Sequence, residues 1–149
     1  MLAFLKKFLC ITPNLYGFNI LIVEDELSNL FIIRRILNST NAQLFIARNG
    51  IEALKKLKAN KNIDLVLMDL EMPVMDGYEA TKIIKEENNK MIVIAVSGYS
   101  SENEKQRALD AGCDNYIIKP VNKRNLYKML IKYLTPKNNN YRIPHLILI

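Results

Sequence analysis

Residues 66–77 read "VLMDLEMPVMDG". Val66, Leu67 and Met68 form an apolar run, yet the run ends on Asp69, a carboxylate of the kind interiors exclude unless it is paired. The stretch from Met72 to Gly77 then carries Pro73 and the Asp76-Gly77 pair, which mark a loop. A buried strand that stops on a charge makes physical sense only if other polar groups gather at the same end of the sheet. The neighbouring segments decide whether they do.

Five strand-like segments alternate with five helix-like ones. The strands are expected at residues 19–24 (NILIVE), 42–47 (AQLFIA), 64–69 (DLVLMD), 91–97 (MIVIAVS) and 115–119 (NYIIK). Most are near-continuous apolar runs, the pattern of strands covered on both faces. Between them Leu30, Ile33 and Leu37 recur at helical spacing, as do Leu54 and Leu57, then Ala80, Ile83 and Ile84. The last helix shows the clearest stripe, in Leu126, Met129, Leu130, Tyr133 and Leu134. Asn49-Gly50 resembles a hairpin dipeptide, but a helical pattern follows, so Asn49 is expected to cap a helix. Ser101-x-x-Glu104 reads as a capping box, Gly112 as a helix stop and Asn122 as a further cap. Strict alternation implies parallel strands joined by right-handed crossovers. The expected fold is therefore α/β, a flavodoxin-like, doubly wound, five-stranded parallel sheet in the order 2-1-3-4-5 between two helical layers.

The 149 residues suit one domain. It is expected over residues 18–135, with a tail or linker at 1–17 and a disordered tail at 136–149. The formal charge of +6 belongs largely to those tails. Residues 18–135 carry 17 Lys/Arg against 15 Asp/Glu, while Lys6, Lys7, Lys137 and Arg142 supply the rest. That distribution argues against a nucleic-acid-binding face. Cys10 and Cys113 form neither a disulfide framework nor a metal spacing, and His145 is the sole histidine, so a reducing, cytoplasmic setting is expected. No apolar run approaches the ~20 residues that span a bilayer. The opening "MLAFLKKFLCI" is apolar but lacks a cationic lead and a cleavage site.

In a doubly wound sheet, ligands bind beyond the carboxyl ends of the strands, where strand order reverses. That point lies between the first and third strands. The first ends in Glu24-Asp25, the third in Asp69, the fourth in Ser97 and the fifth in Lys119-Pro120. Three carboxylates from two adjacent strands repel one another unless a cation neutralises them, and an oxygen-rich cluster suits Mg²⁺. Lys119 adds a point charge for a phosphate and Ser97 a hydroxyl able to donate to one. A carboxylate in that setting is equipped to accept a phosphoryl group.

These pieces, "ILIVEDE", "LVLMDLEMPVMDGYEAT", "VIAVSGYS" and "AGCDNYIIKPV", with the closing amphipathic helix, resemble a receiver domain of two-component response regulators over roughly residues 18–134. The second and fourth are most similar to receivers of hybrid histidine kinases. The resemblance implies that Asp69 is the phosphoacceptor and that Glu24 and Asp25 are the acidic pair holding Mg²⁺. Asp25, Asp69 and the Glu71 backbone carbonyl would be the closer ligands. It implies further that Lys119 pairs with the phosphoryl group through a cis bond to Pro120, that Ser97 is the switch hydroxyl, and that Tyr116 is the aromatic moving with it. A histidine kinase or histidine phosphotransfer protein would be the donor. The face of the fourth helix, fifth strand and fifth helix would meet the next partner. The chain would be a monomer or a weak, phosphorylation-dependent dimer, acting as a signalling module rather than a turnover enzyme.

Two other classes compete. Aspartate-nucleophile phosphohydrolases share Mg²⁺ and lysine chemistry, but they generally carry a D-x-D pattern after the first strand, which this chain lacks. A docking scaffold that is never phosphorylated would not need an intact acidic site.

Overall fold

The computed structural model describes residues 12–134. The expected tail at 136–149, the apolar opening segment at 1–11, Cys10 and His145 lie outside the described residues. Five parallel strands, β1 (Asn19–Val23), β2 (Gln43–Ala47), β3 (Leu65–Asp69), β4 (Ile92–Ser97) and β5 (Asn115–Ile118), form one sheet in the order β2-β1-β3-β4-β5. Five helices connect and follow them: α1 (Leu27–Asn38), α2 (Gly50–Ala59), α3 (Gly77–Glu87), α4 (Glu102–Asp110) and α5 (Lys123–Leu134).

Alternation along the central strands divides the apolar side chains between two faces. Ile20, Ile22, Leu65, Leu67, Ile94 and Val96 pack with Leu30, Ile33 and Leu37 of α1 and with Leu126, Tyr127, Leu130 and Leu134 of α5. Leu21, Val23, Val66, Met68, Val93 and Ala95 pack with Ala53 of α2, Ala80 and Ile84 of α3, and Ala108 of α4. Burial on both faces explains why these strands read as unbroken apolar runs. Each fully buried Leu or Ile contributes about 2 kcal/mol relative to exposure. Leu15, ahead of the first strand, is fully buried in the first cluster, and its N–H donates to the Thr40 carbonyl at 2.6 Å.

The strands stop slightly earlier than the apolar runs suggest. β1 ends at Val23 and β5 at Ile118, so Glu24 and Lys119 lie one residue beyond. Both still donate along the sheet, Glu24 N–H to Ala47 O (3.0 Å) and Lys119 N–H to Ser97 O (2.7 Å). The carboxylate and the ammonium thus sit where the chain leaves the sheet but is still tethered to it.

Asn49 caps α2 by accepting from Glu52 N–H at 2.9 Å, so the Asn49-Gly50 pair opens a helix and no hairpin. Asn122 accepts from Arg124 N–H and Asn125 N–H at the start of α5. Gly112 ends α4 at φ +107°, a conformation that strains any side chain. The capping box at α4 is only half formed. Ser101 Oγ accepts from Glu104 N–H at 3.2 Å, but the Glu104 carboxylate turns away to Tyr78 and Arg107. Gly77 has a different role, since a Cβ there would lie 2.1 Å from the Asp69 carbonyl oxygen. Only glycine lets α3 start directly against the end of β3.

Candidate functional site

Glu24, Asp25 and Asp69 meet at the carboxyl edge of the sheet, between β1 and β3, where strand order reverses. One carboxylate oxygen from each lies within 4.8 Å of the others. Glu24 and Asp69 are buried, at 1% and 3% exposure, and Asp25 is half-buried. Like charges held this close repel strongly in a poorly solvated site. Lys119 answers them from the end of β5. Its Nζ lies 2.9 Å from Glu24 Oε2 and 3.2 Å from Asp69 Oδ2.

One ammonium does not neutralise three carboxylates. Burial pushes the Asp69 carboxyl up to about 7. The Glu71 N–H, which donates to Asp69 Oδ1 at 3.1 Å, and the Lys119 charge offset part of this, while the Glu24 charge adds to it. Burial works against the Lys119 ammonium too, but pairing with Glu24 and the charge of Asp69 outweigh it and raise its pKa. The excess of negative oxygen ligands fits a hard divalent cation such as Mg²⁺.

The loops that carry these groups are tied locally. Glu24 Oε1 accepts from Glu26 N–H at 3.0 Å, and the Glu26 carboxylate accepts from Ser28 and Asn29 side chains. Gly77 N–H donates to Leu70 O at 3.1 Å, folding the "EMPVMDG" loop back over the end of β3. The Lys119–Pro120 peptide is cis.

Ser97, at the end of β4, is fully buried beside the Asp69 strand end. Its hydroxyl accepts from Tyr99 N–H at 3.2 Å. The Tyr116 hydroxyl donates to the Tyr99 carbonyl. Ser97 and Tyr116 thus engage the same residue of the β4–α4 connection, one at the Tyr99 N–H and the other at its carbonyl.

Three features were not anticipated from sequence. Arg48, just past β2, donates from its guanidinium to the Asp25 carbonyl, while its Nε is buried without a hydrogen-bond partner. Leu27, Phe31 and Ile32 expose apolar surface on α1, at 68%, 66% and 40%. Tyr78, Glu104 and Arg107 join α3 to α4. Only the second had a legible signal: "LSNLFIIRRIL" is apolar around more of the helix than one buried stripe requires.

The model of the response regulator receiver domain matches residues 20–131, and the chain belongs to that family. Hybrid signal transduction histidine kinase A of Dictyostelium discoideum is 36% identical over 126 residues, 81% of this chain and 6% of that protein. Sensor histidine kinase GacS of Pseudomonas protegens is 31% identical over 119 residues, 76% of this chain and 13% of that protein. The chain therefore spans only a small fraction of these relatives, whose matching segments are the receiver domains of hybrid kinases. Among solved structures, one chain of the co-crystal of the Saccharomyces cerevisiae histidine phosphotransfer signalling protein Ypd1 with the receiver domain of Ssk1 superposes with a TM-score of 0.77. It has 30% identity, over 88% of this chain and 97% of that one. The CheX-CheY-BeF3-Mg+2 complex of Borrelia burgdorferi gives 0.74 and 29% identity, over 78% of this chain and 89% of that one. Receiver domains are phosphoryl-accepting modules of phosphorelay signalling. Among the described residues no helix is long and apolar enough to cross a membrane.

Proposed function

We propose that the chain carries one receiver unit over residues 18–135, and that it accepts a phosphoryl group on Asp69 from a histidine kinase or histidine phosphotransfer protein. The observation carrying this reading is the Lys119 ammonium set between Glu24 and Asp69, inside a hollow that three carboxylates share. An Asp69 carboxylate oxygen forms the new bond to phosphorus as the donor's nitrogen–phosphorus bond breaks, and the electron pair leaves with the imidazole nitrogen. Lys119 stabilises negative charge on the transferred group, and the Glu71 N–H orients the carboxylate. Asp25, Asp69 and the Glu71 carbonyl would hold Mg²⁺ with Glu24 behind them, and when bound the ion supplies positive charge that keeps Asp69 ionised and offsets that of the phosphoryl oxygens.

Ser97 then exchanges the Tyr99 N–H for the phosphoryl group, and Tyr116, bonded to the same residue, follows it. That shift alters the face of α4, β5 and α5, where Leu109, Tyr116, Ile118 and Met129 line a groove flanked by Lys105 and Lys128. The donor approaches over α1, whose exposed Leu27 and Phe31 begin two residues past Asp25. The unit works in the cytoplasm, with no turnover of a separate substrate.

Incubation with isotopically labelled acetyl phosphate and Mg²⁺ tests this. Wild type takes up label and Asp69→Asn does not; equal labelling of the two overturns the reading.

A further inference from the structure

α3 begins under the phosphoacceptor with little freedom. Gly77 lies against the Asp69 carbonyl and bonds to Leu70 O, so the next residue, Tyr78, is fixed relative to Asp69. Its hydroxyl crosses to α4 and donates to Glu104 Oε2 at 2.6 Å. Arg107, one turn further along α4, stacks its guanidinium over the Tyr78 ring at 4.4 Å and pairs with Glu104 at 3.2 Å. Burial and the Glu104 hydrogen bond push the Tyr78 hydroxyl well above its ordinary pKa, so it stays a donor. The same bond holds Glu104 below the usual carboxylate range, so it stays an acceptor. A charge-assisted bond and a cation–π contact therefore converge on one ring.

α4 is the far end of the segment that starts at Ser97. The near end is held by Ser97 Oγ on Tyr99 N–H and by Tyr116 on Tyr99 O. Between them Ser101 caps α4. When the Ser97 hydroxyl leaves Tyr99 N–H for a group on Asp69, the near end of the stretch 98–101 loses one of its two ties, and its far end is held by α4.

We propose that Tyr78 is a positioning residue for phosphoryl transfer. Referenced to the Asp69 backbone, it restrains α4 through Glu104 and Arg107 and so limits how readily Ser97 reaches the acceptor site. The proposal rests on the reading of Asp69 as phosphoacceptor. It adds a control that lies outside the Ser97–Tyr116 pair.

Tyr78→Phe keeps the ring and the Arg107 contact and deletes only the hydroxyl. Two readouts are taken on the full chain: amide hydrogen exchange across residues 98–105 without phosphodonor, and the initial rate of labelling by acetyl phosphate with Mg²⁺. Exchange is expected to quicken, and labelling to rise about tenfold, the low end of the restraint lost with a hydrogen bond to a charged group. Glu104→Ala, which removes the acceptor, is expected to behave alike, the double variant to exceed neither single by much, and Mg²⁺ affinity to stay unchanged. A purely structural role would lower the melting temperature and leave the labelling rate alone. Unchanged exchange overturns the restraint, and quickened exchange with an unchanged or slower labelling rate overturns its link to transfer. If wild type takes no label, the Asp69 reading fails and the positioning role with it, while the exchange data still separate that failure from a missing restraint.

Discussion

At the scale of single residues, the site is a concentration of negative charge that the fold tolerates rather than prefers. Asp69 carries the clearest consequence. Its carboxyl is pushed up to about 7 in the folded chain, from 3.8 for the free group. The folded state therefore holds a proton between those values that the unfolded state releases. Stability from this group rises as pH falls from above 7 toward 4, and the cost of the ionised form is fully present above pH 7. Asp69→Asn removes that cost, and without Mg²⁺ it is expected to stabilise the protein at pH 8, the gain shrinking toward zero near pH 4. Thermal melts of both forms at the two pH values check this; a destabilised Asp69→Asn at pH 8 would contradict it. The composition of this site was legible in the sequence because each candidate falls at the end of an apolar run. The balance of forces inside it was not, since burial and the Lys119 contacts exist only once β1, β3 and β5 share an edge.

At the scale of elements, α1 separates what a pattern reveals from what it hides. Leu30, Ile33 and Leu37 form the buried stripe their spacing announces. Leu27 and Phe31 are exposed, in the first turns of the helix that follows Asp25. The spacing picked out the covered stripe, but apolar character alone did not reveal that Leu27 and Phe31 would stay uncovered, because the packing of α5 and the sheet decides that. Phe31→Ala is expected to leave the melting temperature nearly unchanged, since an exposed ring buries little on folding. Transfer from a phosphorylated histidine phosphotransfer protein is expected to slow at least tenfold, while labelling by acetyl phosphate is unaffected. Parallel time courses with the two donors check it, and equal loss with both would contradict a docking role. The caps at Asn49, Asn122 and Gly112 were readable because each acts within a few residues. Val74, at φ +73° in the loop after β3, was not: a β-branched residue rarely adopts that conformation, and here it is the centre of a three-residue turn closed by Met75 N–H on Pro73 O at 2.9 Å. Tyr78, Glu104 and Arg107 were hidden for the same reason, being brought together by the packing of α3 beside α4.

At the scale of the whole molecule, the order β2-β1-β3-β4-β5 brings the candidate site together. It reverses between β1 and β3, opening the edge where Glu24, Asp25 and Asp69 converge, and it brings β5 close enough for Lys119 to reach them. Alternation of strands and helices was sufficient to anticipate that order, because right-handed crossovers leave few other arrangements. The curated relatives are far longer, so this unit is one part of the machinery those proteins contain. The account stands on Asp69 being modified through a cation-dependent reaction. The most direct measurement is to treat the protein with acetyl phosphate, reduce the acyl phosphate with borohydride, and map the changed residue by peptide mass spectrometry, with and without a chelator. One changed residue is expected, Asp69, appearing with Mg²⁺ and lost with the chelator. Modification at another residue, or at Asp69 regardless of the chelator, would contradict it.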